Sequence, residues 1–365
     1  MQLYRAGYWV TILSESGPHA LTGYNGVRVR SLRSVKQPFW QRNNKLHQTI
    51  AALKPDVLVW VVGLTDFLYQ DYRAWSSLPQ VGLFPYPMYS AREAFGLGLG
   101  RLAAQRSFFW RHVLGALFPR PWLRTRAARL GLNVYVTHTE ITRWALYSLV
   151  QPVPVRVIRP GVDSVWLNEK IQPNGLRARL GLNSEDFVVL YFDSPSPSRG
   201  LSVLMEALAH TRQQSPHLKM VALNRRYLEE THTASQSLEN LARQKGLADA
   251  VRFVEGVLEP ETLVALARMS DLAALPYELL TVDVPLPLLE ALALRKPVLT
   301  SRMGALPELT SLGRIYLTEP GDPESVARAL LEAQNQSAAG WSCASSPVRN
   351  WEAVGREWAK FVQSL

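Results

Sequence analysis

The chain has 365 residues, of which 47 % are apolar and 19 % are charged, and its formal net charge is +10. This length exceeds what one hydrophobic core usually supports and is typical of two globular domains. No apolar run reaches the roughly 18 residues that span a bilayer, and the first residues lack the pattern of a secretory signal. The single cysteine, Cys343, excludes an intrachain disulfide and a cysteine-based metal cluster, and a cytoplasmic location is the simplest interpretation.

The positive charge is concentrated in the first part of the chain. Residues 1–150 hold 18 of the 40 Lys and Arg residues but only 6 of the 30 Asp and Glu residues. This asymmetry indicates an anionic partner for that half, either a membrane surface, a phosphorylated acceptor or nucleic acid.

The first half of the chain alternates short apolar runs with stretches of helical composition. The run VLVWVV at 57–62 is predicted to be a strand covered on both faces, as in a parallel sheet. The predicted elements are strands at 8–13, 27–32, 57–62, 81–84 and 134–137, a helix at 46–53 and a helical region at about 91–130.

Pro152 and Pro154 mark a linker, after which strands and helices alternate regularly. This alternation predicts right-handed βαβ crossovers and a doubly wound sheet. The tail at 351–362 is predicted to be an amphipathic helix with Trp351 and Trp358 on its apolar face. The other predicted elements are strands at 155–158, 188–192, 218–223, 251–254, 272–275 and 297–301, and helices at 176–180, 201–211, 238–246, 261–269 and 288–294.

Four segments of the second half carry a resemblance to a known family. They are RVIRPGVD, VVLYFDSPSPSRGLSVLMEALA, PLPLLEALALRKPVLTS and MGALPEL. They resemble the donor domain of GT-B-fold glycosyltransferases, specifically the retaining group of family GT4, and the first half of the chain resembles that family more weakly. The resemblance implies an α/β fold of two Rossmann-like doubly wound domains with a cleft between them. Its expected divisions are an acceptor-side domain at 1–151, a nucleotide-sugar donor domain at 152–345 and a helix at 346–365 that packs back on the first domain.

The start of the chain departs from that family. In the family, a strand and a glycine-rich loop precede the segment that here begins RAGYWVTILS. We expect either that translation starts upstream of Met1 or that this protein lacks the first βα unit.

Two carboxylates are candidates for the donor sugar and nucleotide. The resemblance assigns Glu290 to the second position of an E-x7-E motif, where a carboxylate accepts hydrogen bonds from ribose hydroxyls. Glu290 is predicted at the start of its helix, where it would also be favourable to the helix dipole. The first position of the motif is Val282, so we expect either that the neighbouring Asp283 reaches a sugar hydroxyl as a catalytic residue or that it is a solvated loop acid.

The loop DSPSPSRG is the candidate diphosphate site, because it ends in Arg199-Gly200 at the start of a helix. Arg199 can neutralise the leaving diphosphate as the glycosidic bond breaks. The family places a Lys at this position and an Arg five residues earlier, where this chain has Ser194. Arg225 and Arg226 follow the next strand and are possible substitutes; otherwise Arg199 is an exposed residue at a helix start.

The turn after the strand PVLTS and two histidines complete the candidate residues. The resemblance implies that Gly304 lets the backbone approach the donor and that Glu308 supports it, although both also suit a plain strand-to-helix turn. His138 and His19 are the candidates for an acceptor-side catalytic histidine, with a purely structural role as the alternative.

The segment at 101–129 contains seven arginines, no acidic residue and several aromatic residues. Interleaved aromatic and basic side chains are typical of helices that lie on an anionic membrane surface. The alternative is an ordinary amphipathic helix that packs on the sheet. Nucleic acid is not expected as a partner, since no known binding module appears.

The resemblance predicts a retaining hexosyltransferase that moves a sugar from a nucleotide-diphosphate sugar to a glycan or lipid-linked acceptor. The basic aromatic segment adds the expectation that it acts at the cytoplasmic face of a membrane. No cofactor and no metal are expected, since Arg199 and a helix dipole would stabilise the diphosphate. The Val282 and Ser194 departures keep a second hypothesis open, a non-catalytic partner or scaffold in glycan assembly. A nucleotide-sugar epimerase is a third.

Overall fold

The computed structural model describes residues 7–14, 28–31, 39–89, 93, 118–224, 239–256, 258–337 and 347–365. Twelve strands and eleven helices are numbered here in chain order. The strands are β1 (Thr11–Ser14), β2 (Arg28–Ser31), β3 (Leu58–Val61), β4 (Gln80–Leu83), β5 (Val134–Thr137), β6 (Val155–Val157), β7 (Phe187–Tyr191), β8 (Leu218–Asn224), β9 (Val251–Glu255), β10 (Leu272–Leu275), β11 (Val298–Ser301) and β12 (Ile315–Thr318). The helices are α1 (Phe39–Leu53), α2 (Asp66–Tyr69), α3 (Arg120–Ala128), α4 (Glu140–Val150), α5 (Leu176–Arg179), α6 (Leu201–Thr211), α7 (239–244), α8 (Pro260–Met269), α9 (Leu286–Ala293), α10 (Pro323–Ser337) and α11 (Trp351–Gln363).

The second half of the chain folds around a six-stranded parallel sheet in the order β12-β11-β10-β7-β8-β9. The strands are fully or largely apolar because helices cover both faces, and one buried cluster lies on each side of the sheet. The chain leaves β7 to one side and returns at β10 on the other, so these two neighbouring strands form the topological switch point. In doubly wound sheets a ligand binds at the carboxyl ends of such strands.

The first half contains a four-stranded parallel sheet in the order β3-β4-β5-β6, and β1 pairs with β2 separately. Val81 lies beside Val59 on one side and beside Val134 on the other. β6 was predicted to belong to the second domain because it follows Pro152 and Pro154. Instead it pairs with β5, so the chain leaves the first unit only after Ile158.

The prediction that the run at 57–62 is buried on both faces was wrong. Along β3 the exposure alternates, and Val59 and Val61 are 48 % and 58 % exposed. Trp60 points the other way and stacks on Tyr72, with 4.3 Å between ring centroids. β3 is the outermost strand of its sheet in the described residues, and one of its faces is left open.

The predicted terminal helix is present as α11, and it packs on the first sheet. Its side-chain Asn350 cap accepts a hydrogen bond from Ala353 N at 2.9 Å, which fixes where the helix begins. The buried cluster between this helix and the sheet comprises Val81, Val134, Val136, Ile158, Val354 and Phe361.

The chain passes between the two units twice, and the two passages run side by side. Val162 forms a parallel bridge with Asn350, and Trp351 N donates to Val162 O at 3.1 Å. A Cβ atom on Gly161 would lie 2.8 Å from the backbone of Asn350, so this close approach requires glycine.

Candidate functional site

Three loops meet at the carboxyl edge of the second sheet. They follow β7, β10 and β11, and they carry Arg199, Asp283 and Gly304. Parallel strands end at the same edge, so the sheet itself brings these distant positions together.

Gly200 permits the loop after β7 to contact the loop after β10. It is the N-cap of α6 in the left-handed conformation, with φ +75°. A Cβ atom at this position would lie 1.8 Å from the carbonyl oxygen of Pro276. No residue with a side chain fits there without movement of one of the loops.

Arg199 is held in the crevice between these two loops. Its side chain is 19 % exposed, and its Nη2 donates to Thr281 Oγ1 at 3.1 Å. The guanidinium also lies 5.4 Å from the centre of the Tyr277 ring. Arg199 is therefore not a freely exposed residue at a helix start; it stands at the switch point with the N-terminus of α6 behind it.

Asp193 is a neighbour of Arg199 that our sequence interpretation missed. Its Oδ2 lies 3.7 Å from Arg199 Nη1 and accepts a hydrogen bond from Tyr277 Oη at 3.0 Å. Burial and the Asp193 charge raise the pKa of Tyr277 well above its usual value, so the phenol keeps its proton and donates. Asp193 is the first acid after a buried strand, and that position was the available signal.

Ser194, which departs from the family pattern, contributes backbone atoms here. Its N–H donates to Asp193 Oδ1 at 2.6 Å, and its carbonyl accepts from Tyr191 Oη at 2.5 Å. The loop is therefore fixed by local hydrogen bonds, and Arg199 supplies the positive charge that this loop presents.

Glu290 lies in the middle of α9 and not at its start, because the helix begins two residues earlier than predicted, at Leu286. A favourable interaction with the helix dipole, which falls off after the first turn, therefore does not explain it. Leu286, Pro287 and Glu290 share the one side of this helix that is not buried, as their spacing of three to four residues requires. Glu290 thus lies on the partly exposed side of an otherwise apolar helix, with its Oε2 atom buried.

Asp283 is neither a solvated acid nor directed at an open cleft. Its side chain is fully buried, and it accepts hydrogen bonds from two residues of the first unit, Thr139 Oγ1 at 2.9 Å and Thr142 Oγ1 at 2.7 Å. Burial raises the pKa of Asp283 to about 7, and the two threonine hydrogen bonds act in the opposite direction.

Glu308 contacts the same part of the first unit. Its Oε1 pairs with Arg159 Nη2 at 2.5 Å, and its Oε2 accepts from the backbone N–H of Ile141 at 3.0 Å. Both carboxylates thus lie at the N-terminus of α4, where the helix dipole and the exposed N–H groups favour negative charge. We refer to Thr139, Thr142, Arg159, Asp283 and Glu308 as the interface cluster.

Residues 85–89 of the first unit lie against the loop after β10. Tyr89 Oη donates to Leu280 O at 2.8 Å and accepts from Leu280 N at 2.9 Å. Asp283 N donates to Pro85 O at 2.8 Å, and a Cβ atom on Gly304 would lie 3.7 Å from Pro87. Residues 85–89 of the first unit therefore lie directly against the loop between β10 and α9 and close to Gly304.

The other candidate residues have varied surroundings. His138 lies between β5 and α4, and its Nδ1 is 3.0 Å from Ile158 O. Burial lowers the pKa of His138, which favours the neutral ring. His19, Arg225 and Arg226 lie outside the described residues, as does most of the segment at 101–129. In the part of the chain that is described, no helix is long and apolar enough to span a membrane, and no three His, Cys, Asp or Glu side chains are grouped as a metal site would need.

The comparison with protein families agrees with this geometry. Residues 174–340, which contain the six-stranded sheet and its three loops, match the family model of glycosyl transferases group 1. The GT-B resemblance read from the sequence is confirmed for this part of the chain.

One relative of known name aligns with part of this chain. D-inositol 3-phosphate glycosyltransferase 2 of Catenulispora acidiphila is 30 % identical over 227 residues, which are 58 % of this chain and 50 % of that protein. This chain therefore matches about half the length of that relative.

Solved structures show the same overall fold. HepE of Anabaena, solved in complex with UDP and glucose, has a TM-score of 0.62 at 17 % identity, covering 93 % of this chain and 86 % of that chain. Sucrose-phosphate synthase from Thermosynechococcus elongatus has a TM-score of 0.65 at 16 % identity, covering 100 % of this chain and 90 % of that chain. The described residues thus share the GT-B fold of two Rossmann-like units.

Proposed function

We propose that this protein is a glycosyltransferase that takes a nucleotide-diphosphate sugar as donor and transfers the sugar, with retention of configuration, to a glycan or lipid-linked acceptor. The observation that carries the proposal is Arg199 at the N-terminus of α6, at the switch point of a glycosyl transferases group 1 domain. That relatives include a named glycosyltransferase and a structure solved with UDP and glucose supports the same substrate class.

The proposed chemistry assigns a role to each unit. Arg199 and the N–H groups at the start of α6 stabilise the negative charge that develops on the leaving diphosphate, without a metal ion. Glu290 accepts hydrogen bonds from the ribose hydroxyls. Gly304 allows the backbone after β11 to approach the donor, and the acceptor enters from the first unit on the side of His138.

The proposed site of action is the cytoplasmic face of a membrane, with an acceptor attached to it. Of the basic aromatic segment, the structure describes Phe118 to Arg129. Here Phe118 stacks on Trp122, which is 42 % exposed, and Arg120, Arg124 and Arg129 are exposed beside it. This composition supports contact with anionic lipid.

Donor binding tests the proposal directly. Titration calorimetry of the intact protein with UDP-, GDP- and ADP-sugars is expected to identify one donor, and Glu290→Ala is expected to weaken its binding at least about tenfold, because charged hydrogen bonds are worth roughly 1.5–3 kcal/mol. Glu261→Ala removes an exposed glutamate of the same unit and serves as the control. Equal binding by the wild type and Glu290→Ala would remove Glu290 from the donor site.

A second candidate function is a non-catalytic partner in glycan assembly. It is favoured by the interface cluster, which engages Asp283 and Glu308 with the protein itself, and by the absence of a basic residue at Ser194. The transferase and the non-catalytic partner are distinguished by measuring the release of free nucleotide from the bound donor in the presence of a panel of acceptors. Donor binding with no release under any condition would favour the partner, and isomerisation of the donor sugar without acceptor would indicate an epimerase.

A further inference from the structure

Helix α4 has an apolar row on its outer side as well as on its inner side. Leu146, Leu149 and Val150 are buried and form the inner side. Ile141, Trp144 and Tyr147, spaced three residues apart, are 45 %, 62 % and 38 % exposed, and we call them the outer row. Three large side chains exposed along one helix form a contiguous apolar surface, which in soluble proteins marks an interaction site.

Arginines border the outer row. The guanidinium of Arg143 lies 4.4 Å from the centre of the Trp144 ring, and Arg124 Nη2 of the neighbouring helix α3 donates to Ser148 O at 2.8 Å. The sequences of α3 and α4 contain one acidic residue, Glu140, which pairs with Arg143 at 2.5 Å. Glu140 offsets the charge of Arg143, and Glu308 of the second unit lies at the N–H of Ile141. The arginines of α3 leave the two helices with a net positive charge, in keeping with the charge excess of residues 1–150.

We propose that the outer row of α4 docks on an anionic lipid bilayer. Tryptophan and tyrosine are favoured at the headgroup level of a membrane, and arginines beside them attract anionic lipid. The inference deepens the proposed function and rests on its membrane-attached acceptor. The interface cluster lies at the N-terminus of the same helix, so docking through the outer row holds the contact between the two units close to the membrane.

Vesicle sedimentation of the full-length protein tests this inference. The wild type is expected to bind vesicles that contain about one third phosphatidylglycerol and not vesicles of phosphatidylcholine alone. The double variant Trp144→Ser/Tyr147→Ser is expected to bind the anionic vesicles about tenfold more weakly, because it removes apolar surface from the lipid contact. Arg124→Gln is expected to weaken binding to the anionic vesicles about fivefold, which is the effect of removing one cation near a charged surface.

Trp9→Ser is the matched control, since Trp9 is 80 % exposed and lies outside α3 and α4. All variants are first compared with the wild type in thermal unfolding and donor calorimetry. A double variant that keeps its donor binding but loses vesicle binding supports docking through α4. Failure of the wild type to bind any donor would contradict the proposed function and leave the docking inference to the vesicle result. Three results would each overturn the inference. The wild type could fail to bind anionic vesicles, the double variant could bind them as well as the wild type does, or the protein could bind a nucleic acid duplex more tightly than the vesicles.

Discussion

At the scale of single residues, Gly200 is the position where the sequence has the least freedom. Its left-handed backbone and the 1.8 Å approach of the Pro276 carbonyl both demand the absence of a Cβ atom. Gly175 has a similar φ of +71°, but a Cβ atom there would meet nothing within 4 Å. Substitutions at these two glycines therefore distinguish the cost of backbone strain alone from the cost of strain combined with steric overlap.

Gly200→Ala is expected to lower the free energy of unfolding by about 3 kcal/mol or more, because both strain and overlap apply. Gly175→Ala is expected to cost only about 1 kcal/mol, since strain alone applies. Urea unfolding followed by circular dichroism measures both. Equal losses in the two variants would show that the contact between the loops is not rigid.

Asp283 gives the protein a defined dependence of stability on pH. Its pKa of about 7 in the folded protein lies above the ordinary value of 3.8, so between these values the folded chain binds a proton that the unfolded chain has released. Its contribution to the free energy of unfolding is therefore fully present below pH 4 and is lost as the pH rises through 7.

Asp283→Asn removes this titration. The difference in unfolding free energy between the wild type and the variant is expected to shift by roughly 2 kcal/mol between pH 5 and pH 8, in the direction that favours the variant at high pH. Chemical unfolding at intermediate pH values measures the difference, in which other titrating groups cancel. A difference that is constant across this range would contradict the elevated pKa.

The surroundings of Asp283 also show what single-residue interpretation misses. The sequence placed it correctly in the loop before α9, but its partners Thr139 and Thr142 are more than 140 positions away in the chain. No local sequence pattern indicates a hydrogen-bond partner that is so distant in the chain. The position of Arg199 just before a helix could be predicted because it follows from a strand, a loop and a helix that are adjacent in sequence.

At the scale of elements, periodicity identified most strands and helices of the second unit, because strands buried on both faces give continuous apolar runs. The same rule failed at β3, where VLVWVV is continuous in sequence but Val59 and Val61 are exposed. Hydropathy alone does not reveal whether a face is covered. Nor did it reveal that β6 pairs with β5, since pairing depends on the crossover made by α4.

Helix α11 provides a test of how firmly the end of the chain is attached to the first sheet. Phe361→Ala is expected to lower the free energy of unfolding by about 3–5 kcal/mol, because this ring is 5 % exposed in the cluster between α11 and the sheet. Denaturant unfolding measures the loss. Lys360→Ala, at an exposed position of the same helix, is the control, and comparable losses in both variants would exclude a packing origin.

At the scale of the whole molecule, the two units are joined by paired chain passages and by the interface cluster. The sequence predicted two units and a helix that returns, but not that Asp283 and Glu308 of the second unit would bind the N-terminus of α4. That arrangement depends on how the units are oriented, which no segment encodes by itself.

Removing both charges is expected to open the molecule. At pH 8, where Asp283 is ionised, Asp283→Asn/Glu308→Gln weakens charge-assisted hydrogen bonds worth roughly 1.5–3 kcal/mol each, so the population of open molecules is expected to rise at least tenfold. Small-angle X-ray scattering is expected to show a larger radius of gyration than that of the wild type. Glu261→Gln serves as the control, and an unchanged radius in the double variant would mean that other contacts keep the units together.

The position of residues 85–89 over the loop after β10 has a kinetic consequence. We expect a donor that binds beside Arg199 and Gly304 to enter during the intervals in which Tyr89 is separated from Leu280, because residues 85–89 contact the loop between β10 and α9. Binding is then gated: the observed association rate in a rapid-mixing experiment rises with donor concentration and levels off at the rate at which the two units part. That plateau would report directly how often this protein opens.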